Sequence, residues 1–316
     1  MKYRSWLIVP GNNEKRLGMT QGVGADVVVV DLGDTVPREA RETGRRHAAQ
    51  WLAASRPSGT GHRPTARWVR INSFESGLWR EDLAAIMGSG PEGVILPRAS
   101  GPDAVRELAS EIYGHEERNG LAPGSTRIMP VAGETPTAAL HISDYLESTH
   151  QRLDGLAWSA GGLGAALCVR QRRDGQGGWS DACRFVRAQV LLTAHASAIR
   201  AIEAPFEHFE DEVGLERAAL RARADGFTGM FAVHPAQVAV INRAFAPPAE
   251  EFDEAREIVA AFAASPHLGS LAVCGRMVDR ADLALAQLTL TQADRPVGIA
   301  AGSGEDLRRG AILRPA

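Results

Sequence analysis

The sequence predicts an α/β protein, a (β/α)8 TIM barrel with a C-terminal helical extension. Eight short apolar runs rich in β-branched residues recur along the chain, each followed by a turn and a longer amphipathic stretch, which is the rhythm of βα units. Several runs are apolar almost throughout, so they need cover on both faces, as barrel strands ringed by helices have. A doubly wound open sheet is the alternative arrangement of the same units.

Taken in order, the first run is Trp-Leu-Ile-Val at 6–9, ended by Pro10 and followed by a helix over 13–24. The second, 26–32, carries four consecutive valines and leads into a helix over 38–54. The third (67–71) and fourth (93–97) precede helices over 79–88 and 102–117, and the fifth (128–132) precedes one over 136–148. The sixth run, 155–160, is followed by a helix over 181–197, the seventh (199–203) by one over 211–225, and the eighth is 229–234. Residues 55–66, with Pro, Gly and Ser, and 172–179, Arg-Arg-Asp-Gly-Gln-Gly-Gly-Trp, read as surface loops. The barrel is assigned to 1–235 and the extension to 236–316, with helices over 250–264 and about 280–290 after Pro247-Pro248. Residues 295–316 receive no assignment.

Composition narrows the chemistry. At 316 residues, with 44% hydrophobic and 23% charged residues, the chain has the make-up of a folded globular protein. A net charge of -3 and the lack of an arginine run interleaved with aromatics argue against nucleic acid as a partner. Lys2 and Lys15 are the only lysines, so a Schiff-base aldolase or a pyridoxal enzyme, which needs a buried amine deep in the fold, is excluded. Cys168, Cys183 and Cys274 are too few and too scattered for a disulfide framework or a zinc site, and a cytoplasmic setting fits them. Pro10 interrupts the first apolar run too early for a signal peptide or a membrane span, and no later run approaches the necessary length.

Reactive groups of barrels gather where the strands end. Here those ends carry Asp31-Leu32-Gly33-Asp34, Arg70, Arg98, Gly133-Glu134, Gly161-Gly162 and Glu203. Carboxylates and guanidinium groups on one mouth suit a carboxylate-bearing substrate with a hard cation bridging the charges. Asp31 reads equally as a packing or capping residue, and Arg98 as a rim ion pair. The stretch 159–164, Ser-Ala-Gly-Gly-Leu-Gly, has neither the lysine of a P-loop nor the dinucleotide spacing, and no His-Glu-x-x-His occurs.

Five segments, in order, resemble the citrate lyase β-subunit-like group of the HpcH/HpaI aldolase superfamily, related to malyl-CoA and citramalyl-CoA lyases. They are Arg4-Ser-Trp-Leu-Ile-Val-Pro-Gly-Asn12 with Glu14-Lys-Arg16, Gly24-Ala-Asp-Val-Val-Val-Val-Asp-Leu32 with Asp34 and Val36, and Val69-Arg-Ile-Asn72. The others are Gly226-Phe-Thr-Gly-Met-Phe-Ala-Val-His-Pro-Ala-Gln237 with Asn242 and Phe245, and Gly275-Arg-Met-Val-Asp279. The resemblance implies a lyase that cleaves or forms a carbon–carbon bond in a 3-hydroxyacyl thioester of CoA or a carrier protein, by metal-assisted retro-Claisen chemistry. By position it makes Glu134 the carboxylate ligand of Mg2+, Arg70 the arginine facing the reacting carbonyls and Asp279 an acid/base lent by a neighbouring subunit. Asp34 becomes a further catalytic candidate and a substitute oxygen ligand, and Pro10, Asn12 and Arg16 of the opening segment become the CoA-binding candidates. A homo-oligomer, trimer or hexamer, follows by the same analogy, with the extension touching a neighbour. The chain departs from the pattern at Gly161 and Gly162, where the resemblance calls for Glu and Asp, at Gly33 for Glu and at Met230 for Lys. Those departures support a second reading, a catalytically silent homologue that binds acyl-CoA or partner subunits.

Overall fold

A computed structural model describes residues 3–55, 65–147, 150–173 and 178–294. Eight parallel strands close into a barrel in sequence order: β1 (Ser5–Pro10), β2 (Val27–Asp31), β3 (Ala66–Arg70), β4 (Gly93–Ala99), β5 (Arg127–Ala132), β6 (Gly155–Trp158), β7 (Arg200–Glu203) and β8 (Gly229–Ala232). Each lies within two residues of its predicted run, and the closed order settles the choice between barrel and open sheet. No helix among the described residues is long and apolar enough to cross a membrane.

The helices are α1 (Glu14–Met19), α2 (Arg41–Ala54), α3 (Trp79–Ile86), α4 (Pro102–Arg118), α5 (Pro136–Leu140), α6 (Ala160–Ala166), α7 (Asp181–Ala196), α8 (Glu212–Asp225) and α9 (Ala236–Ala244). The long predicted helices near 13–24 and 136–148 are each a short α-helix continued as a 3-10 turn, Thr20–Gly22 and Ile142–Leu146. The loops predicted at 55–66 and 172–179 fall partly outside the described residues, as do residues 295–316 wholly.

Strand side chains sort into two cores. Trp6, Val29, Trp68, Ile95, Met129 and Phe231 fill the barrel interior, where Trp6 and Trp68 meet edge to face at 5.1 Å. The alternate residues, among them Val28, Val30, Val69 and Trp158, face outward under the helices. Both strand faces are therefore dry, which is why the runs read as continuous rather than alternating.

The chain divides into two compact units, the boundary falling between Ala246 and Pro247. The sequence boundary at 235/236 thus moves: α9 packs on β1 and β8, and its Val238, Val240, Ile241 and Ala244 belong to the barrel's outer core. Burying a valine or isoleucine side chain stabilises by about 1.5–3 kcal/mol, and the three in α9 fix the helix to the barrel. The second unit is not purely helical. Helices α10 (Ala249–Ala264) and α11 (Arg280–Asp294) accompany an antiparallel hairpin, β9 (Ser270–Val273) and β10 (Arg276–Asp279), turned at Cys274-Gly275, both at positive φ. Its own core joins Ala255, Ile258, Phe262, Val273, Val278 and Ala286.

Candidate functional site at the barrel mouth

Strand register builds the site. Pro10, Asp31 and Arg70 are successive partners at the C-terminal ends of β1, β2 and β3. Asp31 is fully buried and accepts both arms of the Arg70 fork, Nε at 2.7 Å and Nη2 at 2.8 Å. The Gly33 and Thr35 amides donate to it at 3.0 Å each, and the Thr35 hydroxyl at 2.5 Å. Burial opposes a charge on Asp31, yet the Arg70 guanidinium and these donors outweigh it and hold the carboxyl below its ordinary range. Arg70, partly buried, is kept charged by the same pairing against the cost of desolvation. Asp31 is thus the residue that aims Arg70, the packing role the sequence left open.

Strand β4 ends irregularly. Its pairing with β5 slips between Leu96 and Ala99, and Arg98 takes φ 51°, a conformation that costs a non-glycine residue energy. The strained turn aims the Arg98 backbone N–H at Glu134, donating to Oε2 at 2.6 Å. Glu134 itself follows Gly133, which sits at φ 73° with no room for a Cβ, since Val186 Cγ1 would lie 2.6 Å from it. Burial pushes the Glu134 carboxyl above its ordinary range, against the pull of the Arg98 amide and the nearby arginines.

Asp34, exposed in the loop after β2, stands between the two guanidinium groups: Arg70 Nη2 and Arg98 Nη2 are each 3.8 Å from one of its oxygens. Arg98 Nη1 is also 3.8 Å from Glu75. The structure therefore brings Asp34, Arg70, Arg98 and Glu134 to one end of the barrel.

Other strand-end residues go elsewhere. Glu203 does not enter the mouth. It faces α7, accepting from Arg187 Nε at 2.6 Å, Trp158 Nε1 at 2.7 Å and the Ala204 amide at 2.9 Å. Gly161 and Gly162 lie in α6, capped by Ser159, whose Oγ accepts from the Gly162 amide at 3.0 Å. A Cβ on Gly162 would overlap Glu134 Oε1 and come within 2.8 Å of its Cδ, so the Glu134 carboxylate rests on the bare Cα of this helix. Asp279, in the second unit, caps α11: its Oδ1 accepts from the Ala281 amide at 2.7 Å and the Asp282 amide at 3.2 Å.

Beside the mouth, a groove of about 340 Å³ is lined by Pro10, Lys15, Arg16, Met19, Val233 and His234, among others. Of the opening-segment candidates, Pro10 and Arg16 line it and Asn12 does not. Lys15 and His234 were not among the candidates, although one of only two lysines in the chain is a signal in itself.

Fold and site together define a (β/α)8 barrel whose mouth presents guanidinium and carboxylate groups. The chain belongs to the HpcH/HpaI aldolase/citrate lyase family, whose description matches residues 4–235. It is 31% identical to the mitochondrial citramalyl-CoA lyase of Mus musculus, covering 92% of this chain and 86% of that protein. It is 30% identical to the citrate lyase subunit beta of Escherichia coli K12, covering 92% and 93% respectively. The structure of the protein CitE from Mycobacterium tuberculosis with magnesium, acetoacetate and coenzyme A matches with a TM-score of 0.74 at 27% identity, covering 93% of this chain and 99% of that one.

The residues at this mouth do not fit the Mg2+ that such a relative holds. A hard dication needs several oxygen lone pairs converging on one point. Among the described residues, no three Asp, Glu, His or Cys side chains are grouped to hold a metal. Asp31 is consumed by Arg70, Gly33 and Thr35, and Glu134 has Oε2 on the Arg98 amide, which leaves Oε1 beside Gly162 as a single oxygen. Each oxygen of Asp34 faces a guanidinium group.

Proposed function

We propose that this chain acts on a 3-hydroxyacyl thioester of CoA or of a carrier protein, breaking or forming the bond between C2 and C3. The observation that supports this best is the pair of guanidinium groups, Arg70 and Arg98, set over the buried Glu134 carboxyl at the mouth. The acid end of the substrate lies against Arg98, and the thioester tail leaves past Pro10 into the groove, where Lys15 and Arg16 meet its phosphates. In the cleavage direction Glu134 takes the proton of the 3-hydroxyl, which becomes the carbonyl of an α-keto acid as the C2–C3 bond breaks. The electron pair passes to the thioester, and the enolate oxygen is stabilised by the rigidly held Arg70. Asp279 of a neighbouring copy in a trimer or hexamer returns a proton to the enolate carbon, completing an acyl thioester. Asp34 lies between the two guanidinium groups and screens their mutual repulsion before substrate arrives. The family's lyases on CoA-linked substrates favour this chemistry, and three free thiols suit the cytoplasmic setting proposed for it.

Cleavage assays on malyl-, citramalyl- and citryl-CoA test the proposal. Turnover of one of them, falling about a hundredfold or more in Arg70→Lys, is the expected result. Gly162 favours a second reading, a silent homologue that retains thioester binding. CoA binding with no cleavage of any of the three thioesters would establish that reading and remove the first.

A further inference from the structure

We infer that the barrel mouth binds its carboxylate ligand without a divalent cation, the positive charge coming from Arg70 and Arg98. The inference rests on the reading of the mouth as the acid end of a substrate site. It stands on how the carboxylate oxygens are already engaged. Those of Asp31 and Oε2 of Glu134 accept hydrogen bonds from the protein, Glu134 Oε1 stands alone beside Gly162, and the Asp34 contacts are loose. At 3.8 Å both guanidinium groups stand beyond hydrogen-bond distance of Asp34. An incoming carboxylate offers them shorter, charge-assisted bonds, and it can displace Asp34 toward solvent because that side chain is exposed.

The two guanidinium groups are also differently prepared. Arg70 is locked by Asp31, and its Nη1 makes no hydrogen bond to any described residue. Arg98 is half exposed, and its place at the mouth is set by its own bulged backbone rather than by a buried partner. A fixed donor and an adaptable one together suit a family of short keto acids of differing length. A dication, by contrast, would find Glu134 Oε1 without a donor but no second carboxylate oxygen converging on it, and would have to compete with two arginines for Asp34.

The test is calorimetric titration of the full-length protein with pyruvate and with acetoacetate, in EDTA and in MgCl2, alongside titration with MgCl2 alone. The affinity for at least one acid is expected to agree within about threefold between the two buffers. Arg98→Gln should weaken it about tenfold or more, the loss of a charge-assisted bond, while Arg98→Lys retains most of it. Thermal melts of both variants guard against loss of fold. Tightening of tenfold or more by MgCl2, or Mg2+ binding that disappears in Glu134→Gln, would overturn the inference and leave the substrate-site reading standing. Binding of neither acid in either buffer would overturn both.

Discussion

Glu134 and Gly162 form the most informative contact at the residue level. Glu134 is a buried carboxyl whose folded pKa lies above the ordinary 4.5, because burial penalises its charge. The native state then holds its proton longer than the unfolded chain, so the stability this group contributes is complete below about pH 4.5 and is lost as pH rises through the raised value. Glu134→Gln removes that loss. Thermal melts from about pH 4 to about pH 7 should therefore show the variant gaining on the wild type as pH rises, and a constant difference would mean the carboxyl is not desolvated. Gly162 has the helical backbone of α6 and is not at positive φ, so a side chain there meets crowding rather than backbone strain. Gly162→Asp must turn Glu134 off the helix, freeing two carboxylates for one ion. Calorimetry is expected to detect Mg2+ binding in this variant and little in the wild type; equal affinity in both would show that the contact with Gly162 does not govern the metal.

Among the elements, α11 separates a structural from a chemical role for Asp279. The Asp279 amide donates to Asp282 Oδ2 at 2.9 Å while the Asp279 carboxylate accepts from the first amides of the helix, a reciprocal cap. Asp279→Ala should cost about 1 kcal/mol of stability, whereas Asp279→Asn keeps a good cap. If Asp279 also returns the proton in the proposed reaction, Asn should retain the melting temperature and lose turnover. Unchanged turnover in the Asn variant would leave the cap as its whole role. What the sequence disclosed about these elements follows the same division. Arg70 and Glu134 were legible because each closes an apolar run. Glu203 closes one too, but in a parallel strand buried on both faces no alternation tells inward from outward, and it faces α7. Helix α6 was hidden by three glycines in seven residues, a composition that reads as loop until Ser159 and the side chains lying over it are seen. The Arg98 bulge has no sequence signature at all, since register slips depend on the neighbouring strand.

For the whole molecule, the second unit carries apolar surface that its own core does not use. Met277 on β10 and Leu285 and Leu288 on α11 are 67%, 63% and 55% exposed, and the two leucines, three apart, share a helix face. Sedimentation velocity at micromolar concentration is expected to show an assembly larger than a monomer, and Leu285→Glu with Leu288→Glu to reduce it; a monomeric wild type would exclude the neighbour-supplied Asp279. The aromatic filling of the barrel bears on how such a protein can be watched. All six tryptophans lie in the first unit, and no tryptophan or tyrosine follows residue 246. Indole emission is therefore blind to the second unit, while far-ultraviolet dichroism at helical wavelengths sees both. Denaturant titration followed by the two signals should give separate midpoints if the units unfold independently and a single one if they are coupled. The Trp6–Trp68 pair, crossed at 70°, gives the barrel interior an optical signature of its own in the near ultraviolet.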